Sequence, residues 1–400
     1  MKIRVLIAGL ALTGLVGCAV EPKQPPTVDV FDDAAFTRPD VSFDPAQALE
    51  ITPAMKRFAD VEMAPMVRTK GLRNGLIESL YTKGRLQIDY DAEVTRTASE
   101  AFEARRGNCM SLVLMTAAFA RYLNVPVRFN SVYTEESWTR YNGIFFVAGH
   151  VNITLVRRPT TGQSIIFGDP ELLTIDFLPP DQVRNQRSRV IDESMVVAMF
   201  LNNRAAEALA VGKIDEAYWW AKSAIATDAR WLAAYNTLAV LYRRKSMQDR
   251  AETALRLVLE REPLNTQALS NLALVLSELG RREEAQAVAN QIAQIQPVAP
   301  YKFFDEGVEA MKAGEFAAAR QLFRKEVARA AYVPEFHFWL GLANWGLGDV
   351  PGARGEIAKA LENSATARDR EIYGAKLAWL NAVREQQQRR REPLMQRPGS

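Results

Sequence analysis

Residues 106–123 read RGNCMSLVLMTAAFARYL, and this stretch decides the fold of the first half of the chain. Gly107 and Asn108 precede Cys109, and an apolar run follows that ends before Pro126. A run of this length and composition predicts a buried helix that begins at the cysteine. There the helix dipole and the free backbone N–H groups favour a thiolate. We interpret Cys109 as a candidate nucleophile, the alternative being a small buried hydrophobic residue.

A possible imidazole partner for this cysteine lies on a predicted strand. The segment GHVNITL, residues 149–155, alternates polar and apolar residues, which is typical of a strand with one face on the core. His150 falls on the polar face and is one of two histidines in the chain, which also has only two cysteines. His337, the other histidine, lies in a predicted helix rich in aromatic residues and is interpreted as a packing residue.

Two aspartates are candidates for the group that orients the imidazole. In LLTIDF, residues 172–177, apolar residues alternate again, and Asp176 falls on the polar face. Its parity matches that of His150 if the two strands pair as a hairpin. Asp169 lies in a Gly-Asp-Pro segment that predicts a turn. We predict Asp176 as the third member and keep Asp169 as the alternative.

The order Cys, His, Asp resembles that of the transglutaminase-like, papain-related superfamily. The resemblance is carried by RGNCMSL at a helix start, by GHV on a strand and by an aspartate on the next strand. It implies an α+β domain, assigned to residues 51–190, with the cysteine on a central helix that packs against an antiparallel sheet. It also implies that Cys109, His150 and Asp176 form a catalytic triad that uses no metal and no organic cofactor.

A repeat with a period of 34 residues occupies residues 198–365. Small residues recur at two phases of each unit, and proline closes two of the units. The small residues are Ala217, Ala251, Ala285, Ala319 and Ala353 in one phase and Ala205, Ala239, Ala273, Gly307 and Gly341 in the other. This pattern resembles the tetratricopeptide repeat, in which two helices per unit approach closely where side chains are small. It predicts an all-α solenoid of five repeats that binds a protein partner.

The end of the array allows two interpretations. Five positions on the predicted groove side of the last two repeats are apolar: Tyr301, Phe304, Met311, Phe338 and Trp345. They could form an open aromatic groove, or a helix predicted at residues 366–386 could cover them. We favour the capping helix, because the ends of solenoids need covering. Residues 387–400 contain the run Arg389–Arg391 and are predicted to be a basic disordered tail.

The N-terminus predicts export and a lipid anchor. Residues 1–17 have two early basic residues and then an apolar run too short to span a bilayer. The segment LVGC, which ends at Cys18, resembles the lipobox of bacterial lipoproteins. This implies cleavage before Cys18 and lipidation of its side chain, although an ordinary cleaved signal is the alternative. Ala19 in place of Asp favours the periplasmic face of an outer membrane, and residues 18–50 are predicted to be a tether.

Two functional hypotheses follow. In the first, the Cys109 thiolate attacks a peptide or isopeptide carbonyl, a thioester forms, and His150 protonates the leaving group. The repeats then recruit the peptide or protein substrate, and the acceptor is water or an amine. In the second, the chain is a non-catalytic lipoprotein scaffold. A net charge of +3 is too small and dispersed to indicate nucleic acid, and a thiol redox role lacks a second cysteine.

Overall fold

The structure is a computed structural model. It describes residues 29–82, 86, 88–92, 94–132, 138–141, 144–147, 150–156, 172–177, 187–364 and 366–395. The predicted signal peptide, Cys18, Asp169 and the end of the predicted tail, residues 396–400, lie outside these ranges. Within them, the structure contains no helix that is both long and apolar enough to cross a membrane.

The first half of the chain combines short helices with strands. The helices are α1 (Pro53–Arg57), continued by a π-helical turn (Phe58–Met63), α2 (Ala64–Lys70), α3 (Leu72–Tyr81), α4 (Ala98–Ala104) and α5 (Cys109–Tyr122). The strands are β1 (Asp89–Tyr90), β2 (Arg106–Gly107), β3 (Val127–Val132), β4 (Trp138–Tyr141), β5 (Ile144–Val147), β6 (His150–Val156), β7 (Leu172–Ile175) and β8 (Ser188–Ile191).

A four-stranded antiparallel sheet of order β7-β6-β3-β8 packs with the cysteine helix. Val151, Ile153 and Leu155 of β6 are fully buried in the same apolar core as the side chains of α5. The residues between them are polar, as their alternation predicts, and they are also buried. Buried polar side chains need hydrogen-bond partners, so the polar face of β6 is where an ordered network is expected.

Five helical hairpins, repeats 1–5, fill residues 193–362, which lie in a stretch described without a gap. Repeat 1 comprises α6 (Glu193–Ala210) and α7 (Ile214–Thr227), repeat 2 α8 (Leu232–Arg244) and α9 (Gln248–Arg261), repeat 3 α10 (Thr266–Glu278) and α11 (Arg282–Ile295), repeat 4 α12 (Lys302–Lys312) and α13 (Phe316–Arg329), and repeat 5 α14 (Pro334–Gly346) and α15 (Val350–Glu362). A Cβ at Gly307 would lie 2.6 Å from Phe323, and one at Gly341 would lie 2.6 Å from Ile357. The small residues therefore mark helix crossings.

A final helix, α16 (Ala367–Met395), covers the end of the array. Tyr373 stacks on Phe338 with ring centroids 4.7 Å apart, and Trp379 meets Trp345 edge to face at 4.6 Å. The two aromatic positions of repeat 5 are thus covered by a cap. The helix continues past the predicted end at residue 386 into the predicted disordered tail of residues 387–400. Residues 387–392 are Gln, Arg and Glu, which are good helix formers.

Residues 29–49, which we call the strap, differ from the predicted tether of residues 18–50. Phe36 is buried and stacks on Tyr218 of α7, with ring centroids 3.9 Å apart and planes 2° from parallel. The Tyr242 hydroxyl donates to the carbonyl of Val30 at 2.6 Å. The turn Pro45–Leu49 packs against α4, α5 and α6. The strap therefore joins the cysteine helix to the first repeats.

Candidate functional site

Side-chain hydrogen bonds fix the turn that begins α5. Asn108 Oδ1 accepts from the backbone N–H of Ser111 at 2.9 Å and from its hydroxyl at 2.8 Å, which caps the helix. A Cβ at Gly107 would lie 2.6 Å from Ser111 Cβ, so only glycine fits there without a shift. Cys109 is the first residue of α5 and is a partly exposed free cysteine. Its side chain is therefore presented at a rigid helix N-terminus.

The same turn is tied to repeat 1 through Thr95. The Thr95 hydroxyl accepts from Asn108 Nδ2 at 2.7 Å. The Thr95 backbone N–H donates to Glu207 Oε1 at 2.7 Å, and its carbonyl accepts from Arg204 Nη1 at 2.9 Å. Both partners lie on α6. One residue thus connects the helix cap beside the cysteine to the first helix of the array, a connection absent from the sequence analysis.

His150 and Asp176 are in direct contact. His150 Nε2 lies 2.7 Å from Asp176 Oδ1, and the histidine side chain is only 4% exposed. Asp176 follows β7, and the register pairs Thr154 with Thr174. That register puts Asp176 on the same face as His150, in agreement with the parity argument. Asp169 is outside the described residues.

Cys109 also interacts with the imidazole of His150, through a hydrogen bond and through its charge. Burial of the His150 ring disfavours its charged form, but hydrogen bonds to Asp176 and to Cys109, and the charges of both, outweigh burial. Together they raise the pKa of His150 to about 9. The structure thus brings all three predicted side chains together.

A ladder of hydrogen-bonded polar side chains holds the carboxylate oxygen of Asp176 that does not contact His150. Asn152 Nδ2 donates to Asp176 Oδ2 at 2.9 Å, while Asn152 Oδ1 accepts from Asn130 Nδ2 at 2.8 Å. Asn130 Nδ2 also donates to Thr154 at 3.0 Å, and Thr154 and Thr174 share a hydrogen bond of 2.8 Å. Both oxygens of the carboxylate are therefore oriented. The alternating pattern of β6 contained the signal for this ladder, because Asn152 and Thr154 share the face of His150.

Tyr90 is a second group that the sequence analysis missed. It pairs with Gly107 where β1 runs parallel to β2, which places it beside the turn that carries Cys109. Burial raises the pKa of Tyr90 above its ordinary value, and the charges of Cys109, Asp176 and Asp91 act in the same direction, whereas the backbone N–H of Cys109 opposes them. The phenol therefore remains a neutral hydroxyl next to Cys109.

Asp91 anchors this strand to the cysteine turn. Its carboxylate is buried and accepts from Arg96 Nη1 at 2.9 Å, and its backbone N–H donates to the carbonyl of Gly107 at 3.0 Å. Arg96 in turn donates its backbone N–H to the Ser111 hydroxyl at 2.7 Å. These contacts hold β1, and with it Tyr90, against the start of α5.

His337 is located far along the chain from this site, in repeat 5. Its Nδ1 lies 2.6 Å from Glu356 Oε2 and its Nε2 lies 2.8 Å from the carbonyl of Ala331. It is buried, in keeping with its interpretation as a packing residue. In the described part of the chain, His, Cys, Asp and Glu side chains form no group of three or more that could hold a metal ion.

The first helices of repeats 2 and 3 are linked by polar side chains. Asn271 Nδ2 donates to Asn236 Oδ1 at 2.9 Å, and Arg243 Nε donates to Glu278 Oε1 at 2.7 Å. Leu274, on the same helix as Asn271, is 47% exposed. The array thus presents amide, charged and apolar groups along its first helices.

Comparison with known proteins identifies the class of the repeats. A family model for the tetratricopeptide repeat matches residues 304–368, and another matches residues 266–298. The C-terminal half of the chain therefore contains tetratricopeptide repeats, which confirms the interpretation of the 34-residue spacing. No curated protein matches the chain.

Several solved structures match less than half of the chain. A thermophilic tetratricopeptide-repeat protein of Thermus thermophilus is 19% identical, with a TM-score of 0.28, and the match covers 45% of this chain and 99% of that one. YrrB, described as having an unusual peptide-binding site, is 17% identical, with a TM-score of 0.25 and coverages of 45% and 92%. MamA of Desulfovibrio magneticus is 18% identical, with a TM-score of 0.24 and coverages of 41% and 91%.

Proposed function

We propose that this protein is a scaffold that binds a protein partner through its tetratricopeptide repeats. The observation that carries the proposal is the array of five hairpins, parts of which match the family models for this repeat. Such arrays have extended surfaces suited to peptide and protein segments. The amide and charged groups of the first helices supply hydrogen bonds, and the exposed Leu274 supplies apolar contact.

Site-specific photo-crosslinking tests this proposal. A photoreactive residue at Leu274 should crosslink a defined protein in cells, because this exposed side chain lies on the proposed binding surface. The same residue at Glu260, which is exposed on the second helix of repeat 2, is the matched control. Without a photoreactive residue, the Leu274→Glu variant should retain less of the crosslinked protein in a pull-down than the wild type does, while keeping its helical content. Equal crosslinking from both positions would contradict binding at the first helices.

A second candidate function is a cysteine hydrolase or acyltransferase of the transglutaminase-like type. It is favoured by the contact of 2.7 Å between His150 and Asp176 and by the hydrogen bond between His150 and Cys109. Asp176 would hold the imidazolium that pairs with the thiolate. The connection from Glu207 through Thr95 to the cysteine turn would let the repeats deliver a peptide or protein substrate to this site.

The proposed reaction has two acyl-transfer steps. The Cys109 thiolate attacks an amide carbonyl, the carbon–nitrogen bond breaks, and the protonated His150 gives its proton to the departing amine. A thioester remains. Neutral His150 then takes a proton from water or an acceptor amine, which attacks the thioester and releases the thiolate. The backbone N–H of Cys109 and the hydroxyl of Tyr90 are the proposed donors to the oxyanion of each step.

Alkylation by iodoacetamide tests the ion pair without requiring a known substrate. In the full chain with Cys18→Ser, Cys109 is the remaining thiol. The rate of its alkylation at mildly acidic pH should depend on the imidazole of His150. His150→Ala and Asp176→Asn should each slow alkylation at low pH by about tenfold or more, while His337→Gln should not. If neither change alters the alkylation rate of Cys109, the triad is excluded and the scaffold function remains.

We further propose that the chain is a lipoprotein anchored at Cys18 on the periplasmic face of the outer membrane. The support is the resemblance of residues 15–18 to a lipobox. Metabolic labelling with an alkyne-bearing palmitate analogue should modify the wild-type protein and leave Cys18→Ser unmodified. Labelling of both would place the lipid elsewhere, and labelling of neither would indicate an ordinary signal.

A further inference from the structure

The helical array is interrupted between repeats 3 and 4. Elsewhere, the second helix of one repeat packs along the first helix of the next, as α7 does on α8, α9 on α10 and α13 on α14. Within residues 187–364, which are described throughout, α11 and α12 do not pack along each other in this way. A solenoid buries its core by stacking neighbours, so this junction leaves an end of the first block uncovered.

The cause is visible in the first helix of repeat 4. Leu238, Leu272 and Leu340 occupy one position of the 34-residue repeat and are buried, but repeat 4 has the exposed Glu306 there. Glu309, three residues further on, is also exposed. Covering these carboxylates with apolar side chains would cost their hydration. Repeat 4 therefore does not cover repeat 3.

The uncovered surface is one face of α11. Leu255 and Val258 of α9 are 0% and 1% exposed, because repeat 3 covers them. The residues one period later are Ala289, which is exposed, and Ile292, which is half-buried. No residue of α11 is buried, although the second helix of every other repeat buries several. An uncovered apolar face at the end of a packed array marks an interaction surface.

We propose that α11 of one chain pairs antiparallel with α11 of a second copy, forming a two-fold symmetric dimer. A two-fold interface must be self-complementary. A pairing centred between Val288 and Ala289 sets these two residues against each other and sets Ala285 against Ile292. Each contact then joins a small side chain to a large one, which allows close packing.

Charge complementarity supports the same pairing. In the antiparallel arrangement, Arg282 at the start of one helix meets the other helix near Ile295, at its C-terminus. A cation there interacts favourably with the negative end of the helix dipole. In the centre of the face no charges oppose each other, since Ala285, Val288, Ala289 and Ile292 are all apolar. A second copy therefore fits this surface better than the acidic face of repeat 4 does.

The oligomeric state tests the proposal, and the test is independent of any catalytic activity or partner. Sedimentation analysis of the full chain with Cys18→Ser should give the mass of a dimer. Ala289→Arg should raise the dimer dissociation constant at least tenfold, with unchanged circular dichroism. The matched control is Ala287→Arg, because Ala287 is exposed and points about 150° away from this face on a helix of about 3.6 residues per turn. It should remain dimeric.

Cysteine crosslinking places the two-fold axis. In a chain with Cys18→Ser and Cys109→Ser, Ala289→Cys should form a disulfide-linked dimer under mild oxidation, and Ala287→Cys should not. A monomeric wild-type chain at all concentrations would overturn the proposal. So would a dimer that survives Ala289→Arg, since its interface would then lie elsewhere. A heterologous partner that protects α11 in a monomeric chain would likewise replace the second copy as occupant.

Discussion

Asn152 Nδ2 donates to Asp176 Oδ2 at 2.9 Å, so the carboxylate that contacts His150 with one oxygen is held in place through the other. The opposite end of the same amide accepts from Asn130. The orientation of the imidazole is therefore supported by side chains on two neighbouring strands, β3 and β6, and does not depend on Asp176 alone.

Asn152→Ala should weaken this support. The change leaves one oxygen of Asp176 and the amide of Asn130 without their partner, and an unsatisfied buried group costs about 1–3 kcal/mol in the free energy of unfolding. Alkylation of Cys109 at low pH should also slow. The matched control is Thr174→Val, which removes a hydrogen bond further along the ladder. If Asn152→Ala lowers stability but leaves alkylation unchanged, the ladder has no role in orienting His150.

The stability of the fold should depend on pH through His150. Its pKa is raised to about 9 in the folded chain, against about 6.5 when unfolded. A raised pKa stabilises the folded state fully below a pH of about 6.5, and the stabilisation is lost as pH rises toward about 9. Urea unfolding of the wild type and of His150→Gln should therefore differ most at mildly acidic pH and least above the raised pKa. A difference that grows with pH would contradict the raised pKa.

Gly107→Ala should disturb the start of α5. The new Cβ would lie 2.6 Å from Ser111 Cβ, and overpacking of this kind costs about 1–3 kcal/mol in the free energy of unfolding. Gly355→Ala is the matched control, because nothing lies within 4 Å of its Cβ position and alanine favours a helix by up to about 1 kcal/mol. Chemical denaturation should show opposite signs for the two variants. If Gly107→Ala raises the free energy of unfolding, the backbone of this turn can shift to make room for the new Cβ.

Glu207→Ala should test the connection between repeat 1 and the cysteine turn. The change removes the acceptor for the backbone N–H of Thr95 and should cost about 1–3 kcal/mol in unfolding free energy. Because Thr95 also accepts from Asn108, alkylation of Cys109 should slow severalfold. Glu103→Ala, at an exposed position of α4, is the control. Unchanged alkylation in Glu207→Ala would show that the turn is rigid without repeat 1.

Phe36→Ala should show that the strap contributes to the stability of the fold. Phe36 is 3% exposed and stacked on Tyr218, and truncating a buried phenylalanine costs about 3–5 kcal/mol. Thermal unfolding of the full chain should shift downward accordingly. The control is Asp40→Ala, an exposed position in the same segment. A loss well below this range would mean that the strap is only loosely attached.

The repeats could be predicted from the sequence because their spacing is periodic. The helix crossings at Gly307 and Gly341 admit only small side chains, and that constraint is visible in every unit. The contact between His150 and Asp176 could also be predicted from the sequence, because the alternation of residues along a strand decides which side chains share a face. Both inferences depend on regular geometry, which a single sequence displays directly.

The strap and the supporting groups of the site were not predictable in the same way. Prolines and aspartates around residues 22–45 are typical of a linker, and the anchoring Phe36 is one aromatic residue whose partner, Tyr218, lies far along the chain. Tyr90 meets the cysteine turn through a pairing of only two residues per strand. Glu306 did carry a signal, since repeats 2, 3 and 5 have leucine at the same position. Its consequence, that α11 and α12 do not pack along each other, could be recognised only from the structure.

The interruption after repeat 3 also determines how far the effect of a local unfolding event spreads along the chain. An array coupled only through neighbouring interfaces melts as a single cooperative unit when every interface is present. Here the apolar core shared by the cysteine helix, the strap and repeats 1–3 is separate from the cores of repeats 4 and 5 and α16. A truncation beyond Pro297 would therefore leave the cysteine site folded, and so would a proteolytic cut or a destabilising mutation there. The same change in repeat 1 would unfold the site.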